Sequence, residues 1–251
     1  MPLIKTPLLI LLTLFALTTR AQYPFEKYPA IKYKEYKHWK LNFGERWADE
    51  HHSISFYTTI PRFFDKESLT IRMTTEDDSH DSYIRLYKGK KLIQKFPSEL
   101  SFTSGDTSQP LRVADINGDS LKDIKLIISG HGCGLAAEYA QVIYLFSQPG
   151  NKFTKVSYTD MMEDNNRVER DMDGNGNFEI ITKYLQGYKK HNYWVFNIYK
   201  FTDNKLINVN DKFDYPIMVQ NLNRANYKPA NFNKTILNKY SLKKPGHYFT
   251  P

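Results

Sequence analysis

The chain has 251 residues, 41% of them hydrophobic and 15% aromatic, with 12 Gly, 12 Pro and one cysteine. It is too apolar and aromatic to be disordered throughout, and too poor in Gly and Pro to be a collagen-like or linker-type polymer, so a folded core is expected. Lys and Arg (35) outnumber Asp and Glu (27), yet no nucleic-acid motif accompanies the excess, and nucleic acid is not an expected partner.

In chain order, residues 1–21 read as an address. Lys5 precedes a run from Leu8 to Leu17 broken only by Thr13, and small residues stand at Thr19 and Ala21. That pattern fits a secretory signal cleaved after Ala21. The run is too short to span a bilayer, and no later stretch approaches the ~20 apolar residues a spanning helix needs. An exported product without a transmembrane segment is expected, in the periplasm or outside the cell. Small exported domains often rely on disulfides, which the lone Cys133 cannot supply within the chain. Bound metal is the obvious substitute staple.

Residues 22–110 form an N-terminal β region with nearly balanced charge. Residues 111–212 hold the two loops described below, and 213–251 form a basic, Asn- and Lys-rich end. By charge, 111–185 carries 8 basic against 11 acidic side chains, whereas 186–251 carries 11 against 3. Periodicity is that of strands. Segments 53–60, 68–74, 83–87, 91–96, 123–129, 139–146, 153–158, 178–185, 193–201 and 206–209 are short, β-branched or aromatic, and bounded by Gly, Pro, Asn or Asp. Connections this short cannot carry crossovers for parallel pairing, which predicts an all-β, mainly antiparallel body. The segment from Asn221 to Pro251, with three prolines, reads as irregular and wrapped on the surface or mobile.

A weak repeat orders these strands. Val142, Asn151-Lys152-Phe153 and Val156 recur as Val195, Asn204-Lys205-Leu206 and Val209, 53 residues later. Gly89, Lys91 and Leu92 sit 61 residues before Gly150, Lys152 and Phe153. Three degenerate repeats suggest repeated sheets, either part of a β-propeller or a related β-sandwich.

The strongest signal is a pair of loops. Asp115, Asn117, Asp119 and Asp123 place oxygen-bearing side chains at positions 1, 3, 5 and 9, followed at once by a strand. Asp171, Asp173, Asn175 and Glu179 repeat the layout 56 residues later. Calcium is a hard ion that takes six to eight oxygens, and alternate carboxylates and amides in a tight turn aim several at one centre. The backbone carbonyls of Leu121 and Asn177, at position 7, would complete each ring. Gly118, Gly174 and Gly176 allow the positive φ such a turn needs. Neither loop is an EF-hand: position 12 is Leu126 or Thr182 where that motif needs a bidentate Glu, and strands flank the loops. One or two calcium ions are expected.

These loops and the strands after them resemble the calcium loops of FG-GAP and VCBS-type repeats, found in integrin-like β-propellers and in many exported bacterial proteins. The match runs from Val113 to Val209. The resemblance implies the same eight side chains as ligands and a structural calcium. A full propeller of about seven blades exceeds this chain, which has room for about four, so it looks like a shortened relative. A second resemblance, resting on size, export and loop type, is to compact periplasmic lysozyme inhibitors.

No catalytic set emerges. His131-Gly-Cys133 lacks a Cys-His signature around it, and the adjacent His51-His52 would point to opposite faces of a strand. Among the sequence motifs, His-Glu-x-x-His, Gly-x-Ser-x-Gly and a phosphate loop are absent. Aromatics crowd two places: Tyr188, Tyr193, Trp194, Phe196 and Tyr199 in one hairpin, and Tyr23, Tyr28, Tyr33, Tyr36 and Trp39 among lysines near the mature N-terminus. The first group reads as sheet packing, and so does the second, with an arm that pairs with an edge strand or a partner as its alternative. The expected function is a secreted calcium-binding module that engages a protein or envelope polymer. Alternatives are a lysozyme-inhibitor-like or immunity-type protein, and an envelope-polymer hydrolase.

Overall fold

A computed structural model describes residues 23–43, 53–76, 81–102, 109–129, 139–161, 167–221 and 228–250. The signal assigned to 1–21, His51-His52 and the His131-Gly-Cys133 loop lie outside the described residues.

Alternation builds the first sheet. In β4 (Glu67–Glu76), Leu69, Ile71 and Met73 are buried while Thr70 and Arg72 are half-exposed, the period-2 pattern of a strand with one covered face. It sits in an antiparallel meander with β2 (Lys40–Phe43), β3 (Ser53–Phe64), β5 (Ser82–Lys88) and β6 (Lys91–Ser98), in the order β2-β3-β4-β5-β6. The middle sheet has the order β1 (Lys34–Tyr36), β7 (Leu111–Ala114), β8 (Asp123–Ser129), β9 (Tyr139–Gln148), β10 (Lys152–Met161) and β15 (Gly246–Phe249), again antiparallel. In the last sheet β11 (Ile180–Tyr188) pairs with β12 (His191–Thr202), which also takes β13 (Lys205–Asn208) and β14 (Ile217–Gln220). The architecture is all-β and antiparallel, and the sheets do not close into a barrel.

The three sheets stack face to face. One face of the middle sheet (Leu111, Ile124, Leu126, Ile143, Leu145) packs on Phe56, Leu69, Ile71 and Ile84 of the first. Its other face (Val142, Tyr144, Phe146, Tyr158) packs on Ile180, Tyr199, Phe201 and Leu206 of the last. Because both its faces are covered, the alternation of β9 disappears into a continuous buried run from Ala140 to Ser147. The hairpin turns of the repeat hold positive φ at Gly89, at Gly150 and Asn151, and at both residues of the two-residue turn Asp203-Asn204. That last turn has the mirror-image geometry that matches strand twist.

Two terminal segments fasten the stack. The N-terminal arm pairs through β1 with β7, and Ala30 bridges Arg170 four residues earlier, so one extended piece runs along the middle sheet and the entry to the last. The chain after Gln220 is more regular than its composition suggests. Asn233 caps a short helix, Lys234–Asn238, by accepting the Ile236 N–H at 3.0 Å, and β15 joins β10. Phe232, Leu237 and Tyr240 cover Tyr193, Val195 and Met218 of the last sheet. The aromatic hairpin therefore packs on both its faces: Trp194 and Phe196 meet Phe25 and Tyr23 on one side, and Tyr193 meets Phe232 on the other. Among the described residues no helix is long and apolar enough to cross a membrane.

Candidate metal centre

The two acidic loops adopt one conformation. At position 1, Asp115 accepts the N–H of Asp119 (3.2 Å) and Ser120 (2.8 Å), and Asp171 accepts those of Asn175 (3.0 Å) and Gly176 (3.1 Å). At position 3, Asn117 accepts from Asp119 and Asp173 from Asn175. At position 5, Asp119 accepts from Leu121 and Asn175 from Asn177, each at 2.8 Å. At position 9, Asp123 accepts the Ile116 N–H at 2.9 Å and Glu179 the Met172 N–H at 2.8 Å. Positions 4 and 6 have positive φ in both: Gly118 and Ser120 in one, Gly174 and Gly176 in the other. The side chains thus satisfy the N–H groups of their own turn and wrap the backbone around a common centre.

The loops also touch. Phe178 N–H donates to the Ile116 carbonyl at 2.8 Å. A Cβ added to Gly118 would lie 2.8 Å from the Gly176 carbonyl oxygen, so the backbones meet where only glycine fits.

They differ at the ninth position. Asp123 is fully buried and both its oxygens are engaged: Oδ2 by Ile116, and Oδ1 by the Ser147 N–H of β9 at 2.8 Å. Burial nevertheless pushes its carboxyl up to about 7, against the pull of those two N–H groups. Glu179, one methylene longer and equally buried, spends only Oε2 on backbone; its Oε1 has no hydrogen-bond partner, and neither has the buried Oδ1 of Asn177. Asp171, Asp173 and Glu179 each offer an oxygen, all within 4.8 Å of one another, an arrangement that could hold a metal ion. Among the described residues no other group of three or more His, Cys, Asp or Glu side chains gathers in this way, Asp115, Asp119 and Asp123 included.

Two lysines that the loop pattern did not signal stand at the second loop. Lys212 donates to Asp173 Oδ2, and Lys200 on β12 lies 3.9 Å from both Asp173 and Glu179. Burial raises Asp173, but the Lys212 hydrogen bond and the two ammonium charges outweigh it and hold the carboxyl below its usual range. Glu179 is raised, by burial first and by the Asp173 charge.

Sequence reading also missed a set of buried charges beside the loops. Glu169 accepts Lys125 Nζ at 2.7 Å and Tyr33 OH at 2.6 Å, with Tyr144 OH on the same carboxylate. Arg167 pairs with Asp160 at 2.5 Å and donates to the Ile181 and Met161 carbonyls. Arg170 donates to the Tyr28 carbonyl at 2.9 Å. These groups are buried and spend their donors and acceptors on one another or on backbone carbonyls, leaving the Nε of Arg167 and Arg170 without a hydrogen bond, so they hold the approach to the second loop between the sheets rather than present reactive atoms. No family model, curated protein or solved structure matches the chain.

Proposed function

We propose that the protein is an exported binding module whose stacked sheets are fastened by calcium, a shortened relative of the FG-GAP and VCBS-type repeat proteins, with a protein or envelope polymer as partner. The observation that carries the calcium reading is the buried Glu179 Oε1, which accepts no hydrogen bond and has only the Lys200 ammonium at 3.9 Å, facing a loop that also aims Asp171 and Asp173 inward. A buried carboxylate oxygen without a donor is costly, and a cation removes that cost. The donors are all oxygens, and the loop is a flexible turn rather than a rigid octahedral cage, which favours calcium over magnesium. Calcium at the second loop displaces the Lys212 and Lys200 ammonium groups, which then serve as competitors for the site. The first loop is the weaker of the two, because Asp123 is committed to Ile116 and Ser147. The ion's role is structural: it ties the entry of β11, and through the Gly118 contact the entry of β8, into one junction between sheets.

A thermal melt in chelator and then in millimolar calcium, with magnesium as control, tests this. Calcium at ten times a dissociation constant of about 10⁻⁴ to 10⁻³ M should add ~1.4 kcal/mol per site and raise the midpoint by several degrees. Asp171→Asn should remove most of that rise while leaving the melt in chelator near that of the parent. An equal response to magnesium, or none to calcium, would sink the reading.

A further inference from the structure

A cleft of about 600 Å³ opens between the first and middle sheets, where the β3–β4 turn, the β9–β10 turn and Ser120–Lys122 of the first acidic loop converge. That volume lies in the range of small-ligand sites. The cleft is built by an irregularity in β3. Between the Ile60–Leu69 and Phe64–Glu67 pairs, three residues of β3 oppose one of β4, and Arg62 takes a φ of 54°. A bulge of this kind re-aims side chains and is enriched next to functional sites. Here it turns Phe63 inward, 6.0 Å from the Phe153 ring, and leaves Phe64 half-buried at the cleft wall. Its two freed carbonyls, of Arg62 and Phe63, each accept Lys122 Nζ at 3.1 Å, which pins the first acidic loop to the bulge. Asp65, Ser120 and Asn151 around the same cleft also hold positive φ, a conformation that side chains bearing a Cβ adopt at a cost.

The lining has two parts. Phe64, Leu121 and Pro149 give an apolar floor, and Leu121 is 37% exposed although its loop is otherwise polar. Lys66, Lys88, Lys122 and Lys152 stand around it with the carboxylates of Asp65 and Glu67, so lysines outnumber acids four to two. Lys88 is engaged with Glu67 at 2.9 Å and lies over the Phe64 ring, whereas Lys66 and Lys152 pair with no carboxylate among the described residues. Ser120, Gln148 and Asn151 add neutral donors and acceptors.

We propose that this cleft binds an acidic saccharide, with a sugar C–H face on the apolar floor and a carboxylate on the lysine rim. Ammonium groups paired with no carboxylate beside an open concavity favour an anion. The hydroxyl and amide side chains suit a ligand with many neutral polar groups. An extended peptide finds no unpaired strand edge here, because the walls are turns and interior strands. An acyl chain finds only a short apolar floor, ringed by charged and amide side chains. The proposal rests on the reading of the protein as a binding module for an envelope polymer, and it does not require that calcium be bound.

Isothermal titration of the protein with N-acetylglucosaminyl-N-acetylmuramic acid, and with neutral di-N-acetylchitobiose as control, tests it. The acidic disaccharide should bind about ten-fold more tightly than the neutral one, and the Lys66→Gln, Lys152→Gln double variant should erase that preference without moving the calcium-dependent melt. Binding of the acid with no calcium response would support the cleft and overturn only the calcium reading. No binding of the acid, equal affinity for both sugars, or an affinity unmoved by the double substitution would overturn the cleft, even where the calcium response is intact.

Discussion

Asp123 and Glu179 occupy the same place in two loops of the same shape, and one methylene separates a carboxylate spent on backbone from one with an oxygen to spare. Their protonation should be readable in solution. Burial lifts Asp123 to about 7 and raises Glu179 in the same direction. Between roughly pH 4, where these groups titrate in the unfolded chain, and about 7, the folded protein holds protons that the unfolded chain has lost. The stabilisation is complete below the unfolded value and is lost as pH rises through the folded one. In chelator, the urea midpoint should therefore fall between about pH 4 and pH 7, and Asp123→Asn should flatten the fall; an unchanged slope in that variant would discard the assignment. The loops were legible in the sequence because their information is local: nine residues with oxygens at alternate places dictate a turn that hydrogen-bonds to itself. The buried charges were not. Glu169 finds Tyr33 136 positions away and Lys125 44 away, and nothing near Arg167-Val168-Glu169-Arg170 in the sequence distinguishes it from a solvated charge run.

At the scale of elements, the long strands were written in their alternation and the short ones were not. β1, β2, β7, β14 and β15 have three or four residues each, too few to show a period, and they exist because a neighbouring edge supplies hydrogen bonds. The tail read as irregular for the same reason. The contact between the two acidic loops is likewise invisible in sequence and decides a comparison of glycines. Gly118 and Gly174 have nearly equal φ, 74° and 75°, but a Cβ on Gly118 would strike the Gly176 carbonyl whereas one on Gly174 meets nothing within 4 Å. Gly174→Ala should cost ~1 kcal/mol for the left-handed backbone alone, and Gly118→Ala should cost more by about 1 to 3 kcal/mol because two backbones must separate. Chemical denaturation of the pair measures the difference; equal losses would mean that the junction yields freely.

Across the whole molecule, two of the four core clusters are shared between sheets, the first between first and middle and the second between middle and last, and the other two lie between the last sheet and the terminal segments that cover it. The first sheet buries its apolar face only against the middle one, and the middle sheet is covered on both faces by its neighbours, so the stack should unfold as a unit. The N-terminal arm is part of that unit. Tyr33 completes the bonding of Glu169, the Tyr28 carbonyl meets Arg170, and Phe25 is buried against Phe196. Deleting residues up to Tyr36 should leave the buried Glu169 and Arg170 short of partners and expose the β7 edge. Calorimetry of that truncation should show a broad, low-temperature transition in place of a single sharp one, and a sharp transition retained would show the arm to be ornamental.

The same arm sets an order of events in biosynthesis. It leaves the ribosome among the earliest parts of the chain, yet its partners at Leu111 to Val113 and at Glu169 and Arg170 are made much later, the last of them more than 130 positions downstream. Until then it is an unpaired, aromatic- and lysine-rich strand with nothing to join. Closing so long a loop is slow, so the arm is locked later than the hairpins that follow it in the chain. A chaperone or a transport channel that keeps this end extended would prevent completion of the fold by holding only a few residues.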